Sequence, residues 1–169
     1  MKLVELCESD LDVFLACEIF NGGKVSELAE GDCSTFRPCA EFFANAAREV
    51  QFGDGARMET AEGVEGFTFV EPWGVVAGVI PWNYPVVLTA WFAFPALLAG
   101  NCILLKPSEE TPLSALYFAR LAEEAGFPPG VINILPGRGE LTGRFIAEHP
   151  GIRYISFTGS PGDGQSDLA

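Results

Sequence analysis

The sequence predicts an α/β fold built on a parallel sheet, and three observations lead to that prediction. From Trp73 onward, short apolar segments alternate three times with helical patterns, and the alternation ends on a strand. The segment Val75–Ile80 is apolar throughout, as expected for a strand covered on both faces. Residues that commonly end helices and strands, mostly glycine and proline, lie at the boundaries between these segments, which we call joints. Repeated strand–helix units of this kind form parallel sheets with right-handed crossovers and helices on both faces.

The predicted strands are the apolar runs between the helical patterns. They span Gly74–Ile80, Cys102–Lys106, Val131–Leu135 and Arg153–Phe157. Helices are predicted over Pro85–Ala99, from Thr111-Pro112 to a cap at Gly126, and over Glu140–Glu148. Proline in a first helical turn and glycine after a last turn are typical of helix ends, and Pro95 inside the first helix predicts a kink.

The chain before Glu71 has a different pattern. Helical patterns lie at Leu11–Phe20 and Thr35–Glu49, and Phe67–Val70 alternates like a strand with one solvent-facing side. The predicted division is a helical segment over 1–52, a second segment over 53–70, the α/β domain over 71–160 and a polar tail over 161–169 that we expect to fray.

Charge and cysteine usage narrow the function classes. The chain carries 23 acidic and 10 basic residues, a formal net charge of -13 that repels DNA, RNA and anionic lipid, so no nucleic-acid partner is expected. Five scattered cysteines without a CxxC pair, and no signal peptide, predict a reducing, cytoplasmic compartment. The single histidine, His149, lacks neighbours at a metal-ligand spacing, so no metal site is predicted.

The segment from Pro72 to Leu105 contains no charged side chain, which raises the alternative of a membrane-spanning helix. Three prolines, Pro81, Pro85 and Pro95, break this run into pieces too short to cross a bilayer as one helix. Buried strands and helices explain the composition better, and we expect no membrane partner.

Parallel α/β sheets bind ligands at the carboxyl ends of their strands, so the joints after the strands are the expected functional positions. These joints are Pro81–Pro85, Lys106–Glu109, Pro136–Gly139 and Thr158–Ser160. Each is polar or rich in glycine. The sequence therefore predicts a ligand site where these four joints meet.

Four ordered motifs carry a specific resemblance. They are EPWGVVAGVIPWNYP, GNCILLKPSEETPLSA, EEAGFPPGVINILPG and ISFTGS. With them the sequence resembles the NAD(P)-dependent aldehyde dehydrogenase superfamily, nearly continuously over 71–160 and more loosely from Leu11. The resemblance implies an incomplete, Rossmann-like NAD-binding domain without a GxGxxG fingerprint, preceded by helices and by part of an oligomerisation hairpin at Gly53–Val70. It also implies oxidation of an aldehyde to a carboxylic acid, with NAD as the hydride acceptor.

The joint after the first strand is expected to serve both substrate and cofactor. The resemblance implies that Asn83 donates its amide N–H to the substrate oxygen, as part of an oxyanion hole, after a thiolate attacks the aldehyde. It places Pro81, Trp82 and Asn83 at the cofactor. From the residues alone, Asn83 is better explained as a turn residue before X-Pro, and Trp82 is equally well explained as part of the core.

The next joint is expected to hold the adenosine ribose. The resemblance implies that Lys106 and Glu109, with Ser108 between them, contact its hydroxyls. A carboxylate there repels the 2′-phosphate of NADP, which favours NAD. The residues alone leave open a solvated charge pair capping the next helix, with Ser108 as a helix cap.

Glycine-rich joints are expected to meet the cofactor phosphates. The resemblance places Gly139, Gly159 and Ser160 at the cofactor, the last two where a helix N-terminus meets the pyrophosphate. The family pattern continues as Gly-Ser-x-x-x-Gly, and Gly164 supplies its last glycine. Pro161 and Asp163 are unusual at the positions in between, and Asp163 puts a negative charge near the phosphate.

The resemblance also predicts that two catalytic residues of the family are absent from this sequence. The family's nucleophilic cysteine and its water-activating glutamate lie downstream of FTGS, and only nine residues without Cys or Glu follow Ser160. Cys102 lies in a predicted buried strand and is interpreted as core packing. We therefore expect a truncated chain that is inactive alone, with Arg153–Phe157 exposing a sheet edge. The expected partners are an aldehyde and other copies of the chain or full-length homologues.

Overall fold

A computed structural model describes residues 2–49 and 53–160. The described residues form a helical N-terminal segment, a two-stranded antiparallel sheet and a four-stranded parallel sheet, in that order along the chain. Expectations about Pro161, Asp163, Gly164 and the fraying tail lie outside the described residues.

The N-terminal segment consists of short helices. They are α1 (Lys2–Ser9), α2 (Leu11–Ala16) with a π-helical turn over Cys17–Asn21, α3 (Ser26–Cys33) and α4 (Phe36–Glu49). The two helices expected from the sequence correspond to α2 with its π-helical turn and to α4. The sequence did not predict α1 or α3. In α3, Gly31 and Asp32 are poor helix formers, so its local signal is weak.

A hairpin follows, formed by β1 (Gly53–Ala61) and β2 (Val64–Val70). Its turn contains Gly63 at φ +76°, a left-handed conformation that suits glycine. The side chains of Phe67 and Phe69 are exposed in β2. The alternation in this part of the sequence therefore corresponds to a strand, as expected.

The parallel sheet alternates strands with helices along the chain. Its elements are β3 (Val75–Val79), α5 (Pro85–Leu98), β4 (Cys102–Lys106), α6 (Leu113–Ala125), β5 (Ile132–Ile134), a π-helical turn (Gly139–Gly143), α7 (Arg144–Glu148) and β6 (Tyr154–Phe157). The strand order is β5-β4-β3-β6 and all neighbouring pairs are parallel. The α/β prediction with a parallel sheet is confirmed.

Some element boundaries differ from the expected ones. Strand β5 is shorter than Val131–Leu135, and the last predicted helix begins with a π-helical turn before only five α-helical residues. Glycine at both Gly139 and Gly143 weakens the ordinary helical pattern there. Cys102 is only partly buried, because it lies at the first position of β4. The strand itself is mostly buried, as expected, and Cys102 is its half-buried first residue.

The main core lies between the N-terminal helices and the sheet. Its centre is a group of aromatic rings from four helices, and the rings of Phe36 and Phe118 stack at 6.3 Å between centroids. Phe14 packs on Phe36 at 4.9 Å. Ile103 and Leu105 of β4 face the same core. The helices before Glu71 are therefore packed onto α5 and α6, which brings Asn21 and Lys24 near the joints after β4 and β3.

Strand β6 forms one edge of the parallel sheet. Among the described residues it pairs with β3 alone, which agrees with the expected exposed edge at Arg153–Phe157. Nearby aromatic side chains are exposed, including Trp73, Trp91 and Tyr154. Apolar surface therefore continues beside this edge.

Residues 2–49 and 53–160 contain neither a candidate membrane span nor a candidate metal-ligand cluster. No helix there combines the length and the apolar character needed to cross a bilayer. No group of three or more His, Cys, Asp or Glu side chains is placed to hold a metal ion. His149 ends α7, and its Nδ1 accepts the backbone N–H of Gly151 at 3.1 Å, a local turn contact.

Candidate functional site

A cleft of about 420 Å³ lies at the carboxyl ends of the parallel strands. It brings together residues from all four joints that the sequence singled out. Eight of the nine predicted site residues line it, namely Pro81, Trp82, Lys106, Ser108, Glu109, Gly139, Gly159 and Ser160. The cleft forms at this edge because parallel strands all end on the same side of the sheet.

Lys106 is the last residue of β4, and its side chain is only 3% exposed. A buried ammonium needs polar partners, since burying an unpaired charge is costly. Its Nζ donates to the carbonyl oxygen of Pro107 at 3.0 Å and lies 3.6 Å from Oε2 of Glu109. The ammonium is therefore held in a defined position at the wall of the cleft.

Glu109 connects two joints of the cleft. Its Oε1 accepts the backbone N–H of Gly139 at 3.3 Å, and its side chain is 44% exposed. The backbone N–H of Glu109 itself lowers the pKa of this carboxyl most, followed by the N–H of Gly139 and the charge of Lys106. Glu109 thus presents a stable carboxylate to the cleft.

The first N–H of α6 is not capped by a side chain of the Lys106–Glu109 joint. The N-cap residue of α6 is Pro112, and the N–H of Leu113 donates to Oδ1 of Asn21 at 3.3 Å. The hydroxyl oxygen of Ser108 instead accepts the N–H of Glu110 at 3.3 Å. Ser108 stabilises a turn within the joint, and the first N–H of α6 is bound by a residue from the N-terminal segment.

Trp82 and Asn83 differ in their placement. Trp82 is 61% exposed and lines the cleft, so it is not part of the core. Asn83 is exposed two residues before α5, is not among the cleft-lining residues, and its side chain makes no hydrogen bond to the described residues. Its amide is therefore free for an external acceptor just outside the cleft.

Two glycines of the cleft differ in the space around them. A Cβ on Gly159 would lie 2.6 Å from Cζ of Phe157, closer than real contacts allow. A Cβ on Gly139 would meet nothing within 4 Å. The first glycine avoids a close contact with Phe157 in the turn after β6, and the second leaves space beside the backbone N–H that donates to Glu109.

A model of the aldehyde dehydrogenase family matches residues 1–166. The chain belongs to the aldehyde dehydrogenase family.

The chain is similar in sequence to several dehydrogenases of this family. Human retinal dehydrogenase 2 is 44% identical over 94% of this chain, and the match covers 30% of that protein. The aldehyde dehydrogenase [NAD(P)+] 1 of Saccharomyces cerevisiae is 43% identical over 94% of this chain and 31% of its own length. The chain therefore spans about a third of the relatives it matches.

Solved aldehyde dehydrogenase structures share the fold. The NAD+ complex of the Bacillus cereus enzyme superposes with a TM-score of 0.91 at 36% identity, over 99% of this chain and 34% of that one. PnpE in complex with nicotinamide adenine dinucleotide gives a TM-score of 0.88 at 35% identity, over 99% of this chain and 36% of that one. The described sheet is thus part of the aldehyde dehydrogenase fold.

The sequence did not identify several residues at this aldehyde dehydrogenase cleft. Arg138 and Glu140 line it on either side of Gly139. Oγ1 of Thr111 lies 3.5 Å from the carbonyl oxygen of Trp82, and so brings two joints together. Asn21, in the N-terminal segment, contacts Glu110, the residue that directly follows the Lys106–Glu109 joint. The two glycines after Asn21 are a local turn signal in the sequence, but the partner of Asn21 in space is 89 residues away along the chain.

Proposed function

We propose that this chain forms the NAD-binding part of an aldehyde dehydrogenase that oxidises an aldehyde to a carboxylic acid with NAD as the hydride acceptor. The observation that carries the proposal is the arrangement of Lys106, Glu109 and Gly139 at one end of the cleft. Family membership and the NAD complexes of similar structures support it.

The ribose is proposed to bind at Lys106 and Glu109. An ammonium donates hydrogen bonds and a carboxylate accepts them, so the two side chains can hold neighbouring hydroxyl groups. Glu109 is exposed enough to be reached from solvent, whereas Lys106 is fixed by burial. Because the carboxylate repels a 2′-phosphate, we propose NAD rather than NADP as the preferred cofactor.

The rest of the cofactor is proposed to follow the cleft toward the turn after β6. Gly139, Gly159 and Ser160 line that side, where small residues let a ligand approach the backbone closely. The exposed faces of Pro81 and Trp82 offer an apolar wall for a planar ring.

Asn83 is proposed to stabilise the negative charge that develops on the aldehyde oxygen. It supplies a neutral donor beside the cleft, and a fixed donor of this kind typically contributes about 10²-fold or more in rate. The bound cofactor supplies hydride acceptance. The five cysteines do not line the cleft in the described part of the chain, so we propose that residues 1–169 alone do not turn over.

The binding half of the proposal is tested by calorimetric titration with NAD, alongside tryptophan fluorescence. We expect saturable binding and a change in Trp82 emission because this residue lines the cleft. The variant W82F should lose the emission change and W91F, at an exposed tryptophan outside the cleft, should keep it. No heat and no emission change at millimolar NAD would refute NAD binding. NAD-dependent oxidation of an aldehyde by this chain alone would refute the proposed inactivity.

A second candidate function is a non-catalytic partner that associates with other copies or with full-length homologues through β1 and β2. The exposed side chains of Met58, Val64, Phe67 and Phe69 favour it, because large apolar groups clustered on a hairpin are typical of interfaces. Co-purification with a full-length homologue tests it. The double variant F67E/F69E should abolish association, while a wild-type chain that remains a monomer with every homologue tested would argue against it.

A cytoplasmic location is proposed on the basis of cysteine chemistry. All five cysteines are free, which fits a reducing compartment. Fractionation of cells that express the tagged chain tests this, and recovery in a secreted or vesicular fraction would contradict it.

A further inference from the structure

Asn21, at the end of the π-helical turn after α2, makes two contacts with the joint that follows β4. Its Nδ2 donates to the carbonyl oxygen of Glu110 at 2.9 Å. Its Oδ1 accepts the N–H of Leu113, the first residue of α6, at 3.3 Å. One side chain of the N-terminal segment therefore binds both ends of the stretch that directly follows Glu109.

Lys24, three residues later, contacts the joint that follows β3. Its Nζ lies 5.1 Å from the ring centroid of Tyr84, within the range of a cation–π interaction. Tyr84 directly follows Asn83 in the joint after β3. The same short turn thus contacts the joints that hold Glu109 and Asn83.

Lys24 is held in place by two carboxylates. Its Nζ donates to Oε2 of Glu18 at 2.7 Å and also to Oδ2 of Asp32. Glu18 is only 1% exposed, and its Oε1 has no hydrogen-bond partner among the described residues. Burying a carboxylate with one unsatisfied oxygen is unfavourable for folding alone. The ion pair that holds Lys24 therefore includes an unfavourable burial of Glu18, which lowers the free energy of unfolding.

The backbone between Asn21 and Lys24 is adapted to this turn. A Cβ on Gly22 would lie 2.7 Å from the carbonyl oxygen of Glu18, and Gly23 has φ +68°. Neither position accepts a larger residue without strain. The chain reverses direction sharply enough for Asn21 and Lys24 to reach two different joints.

We propose that Asn21 and Lys24 are positioning residues for cofactor and substrate, which hold the joints after β4 and β3 at a fixed separation. The inference rests on the proposed NAD site. Asn21 fixes the residues after Glu109, and Lys24 fixes the residue after Asn83. Displacement of either joint changes the geometry of the cleft, and small displacements of binding groups weaken ligand contacts steeply.

Asn133 provides a matched control for Asn21. Its side chain likewise makes two hydrogen bonds to the backbone, because Nδ2 donates to the carbonyl oxygens of Ile103 at 3.1 Å and Gly130 at 2.8 Å, but it does so away from the cleft. Loss of either amide removes two hydrogen bonds. A general effect on folding should therefore appear in both N21A and N133A, and an effect on the cleft in N21A alone.

The experiment measures the dissociation constant for NAD by calorimetry and the thermal midpoint for wild type, N21A, N21D and N133A. We expect N21A to bind NAD about tenfold more weakly and N133A to bind as wild type, with similar losses in thermal midpoint. N21D keeps the acceptor for Leu113 and loses the donor to Glu110, so an intermediate affinity is expected. Equal NAD affinities for N21A and N133A would overturn the proposal.

Lys24 is tested with K24M and K24R. We expect K24M to bind NAD more weakly than wild type. Arginine keeps a positive charge beside Glu18, Asp32 and the Tyr84 ring, so K24R should retain the NAD affinity that K24M loses. A K24M chain that folds and binds NAD as tightly as wild type would contradict the role of Lys24.

A readout without NAD separates this inference from the proposed function. In N21A, the Leu113 amide loses its acceptor and should exchange with deuterium faster than in wild type, while N133A should leave this rate unchanged. If wild type fails to bind NAD, the proposed function fails, and faster Leu113 exchange in N21A still supports the Asn21 contact. Unchanged Leu113 exchange in N21A would overturn that contact.

Discussion

The Nζ atom of Lys106 lies 3.6 Å from Oε2 of Glu109, with the lysine buried and the glutamate open to the cleft. This asymmetry matters for ligand binding. Burial immobilises the cation, and exposure leaves the carboxylate accessible to hydroxyl groups of a ligand. The contact also joins the end of β4 to the loop that precedes α6, so a ligand held by both residues is positioned relative to the sheet.

The charge of Glu109 is expected to set the preference for NAD over NADP. The variant E109Q keeps the side-chain size and removes the repulsion of a 2′-phosphate, so its affinity for NADP relative to NAD should rise roughly tenfold. Calorimetric titration with both cofactors measures this ratio. E110Q, at the neighbouring exposed carboxylate, should leave the ratio unchanged. An unaltered ratio in E109Q would show that the carboxylate does not control cofactor choice.

The lowered pKa of Glu109 predicts a pH dependence of stability. Its own backbone N–H, the N–H of Gly139 and the charge of Lys106 stabilise the ionised form in the folded chain. A carboxyl with a depressed folded pKa stabilises the fold above its unfolded pKa of about 4.3, and this contribution disappears as the pH falls through the folded pKa. Urea unfolding of wild type and E109Q should therefore differ most near neutral pH and converge in acid. A difference that grows in acid would contradict the assignment.

Replacing Lys106 should weaken NAD binding more than it weakens folding. In K106M the methionine fills the buried space, while Glu109 keeps its solvent contact and the N–H of Gly139. Loss of one charged hydrogen bond to the ribose predicts roughly tenfold or greater weakening of NAD binding, measured by calorimetry. K2M, at an exposed lysine whose Nζ donates to the Glu124 carbonyl at 3.0 Å, serves as the control and should bind normally. Normal NAD affinity in K106M would exclude the ribose role of Lys106.

The cysteines should divide into two classes in alkylation experiments. Burial is the main cause that raises the pKa of Cys7 and Cys33 to about 12 and that of Cys39 to about 11. These thiols are protonated and shielded at mildly alkaline pH, so they should react slowly in the folded chain. Cys17 and Cys102 are partly exposed and should be labelled first. Peptide mass spectrometry over time measures the order, and early labelling of Cys7 would contradict the packing of α1.

Gly78 should be intolerant of a methyl group. A Cβ there would lie 2.6 Å from Cδ1 of Phe92, and the whole ring of this α5 residue faces the glycine. We expect G78A to lower the free energy of unfolding by about 1–3 kcal/mol, because β3 and α5 must move apart. In α3, a Cβ on Gly31 meets nothing within 4 Å, so G31A should stabilise by up to about 1 kcal/mol. Urea denaturation of both variants measures the contrast, and equal effects would contradict the close approach.

The positions after each strand could be predicted from the sequence, because both observations behind the prediction are local. The apolar run Val75–Ile80 indicated a strand, and the polar residues after it marked the strand end. Lys106 and Glu109 were found in the same way, and both line the cleft. Asn83 was selected through family resemblance, and its catalytic role remains a prediction.

Contacts between distant segments could not be predicted in this way. The bond from Asn21 to Glu110 spans 89 residues and the bond from Gly139 to Glu109 spans 30. Helix α3 and the π-helical turn over Gly139–Gly143 were missed because their local propensity is weak and packing stabilises them.

The sequence by itself determined the parallel α/β class and the joints at which the cleft forms. Both follow from hydrophobic periodicity and from the glycine and proline residues that end helices and strands, and these signals extend over only a few residues. Only the tertiary structure decided that Trp82 lies in the cleft rather than the core, and that Asn21 caps the first N–H of α6. The placement of Asn21 depends on how the N-terminal helices pack against α5 and α6 around Phe14 and Phe36. That packing is the sum of many non-local contacts, and no local pattern records it.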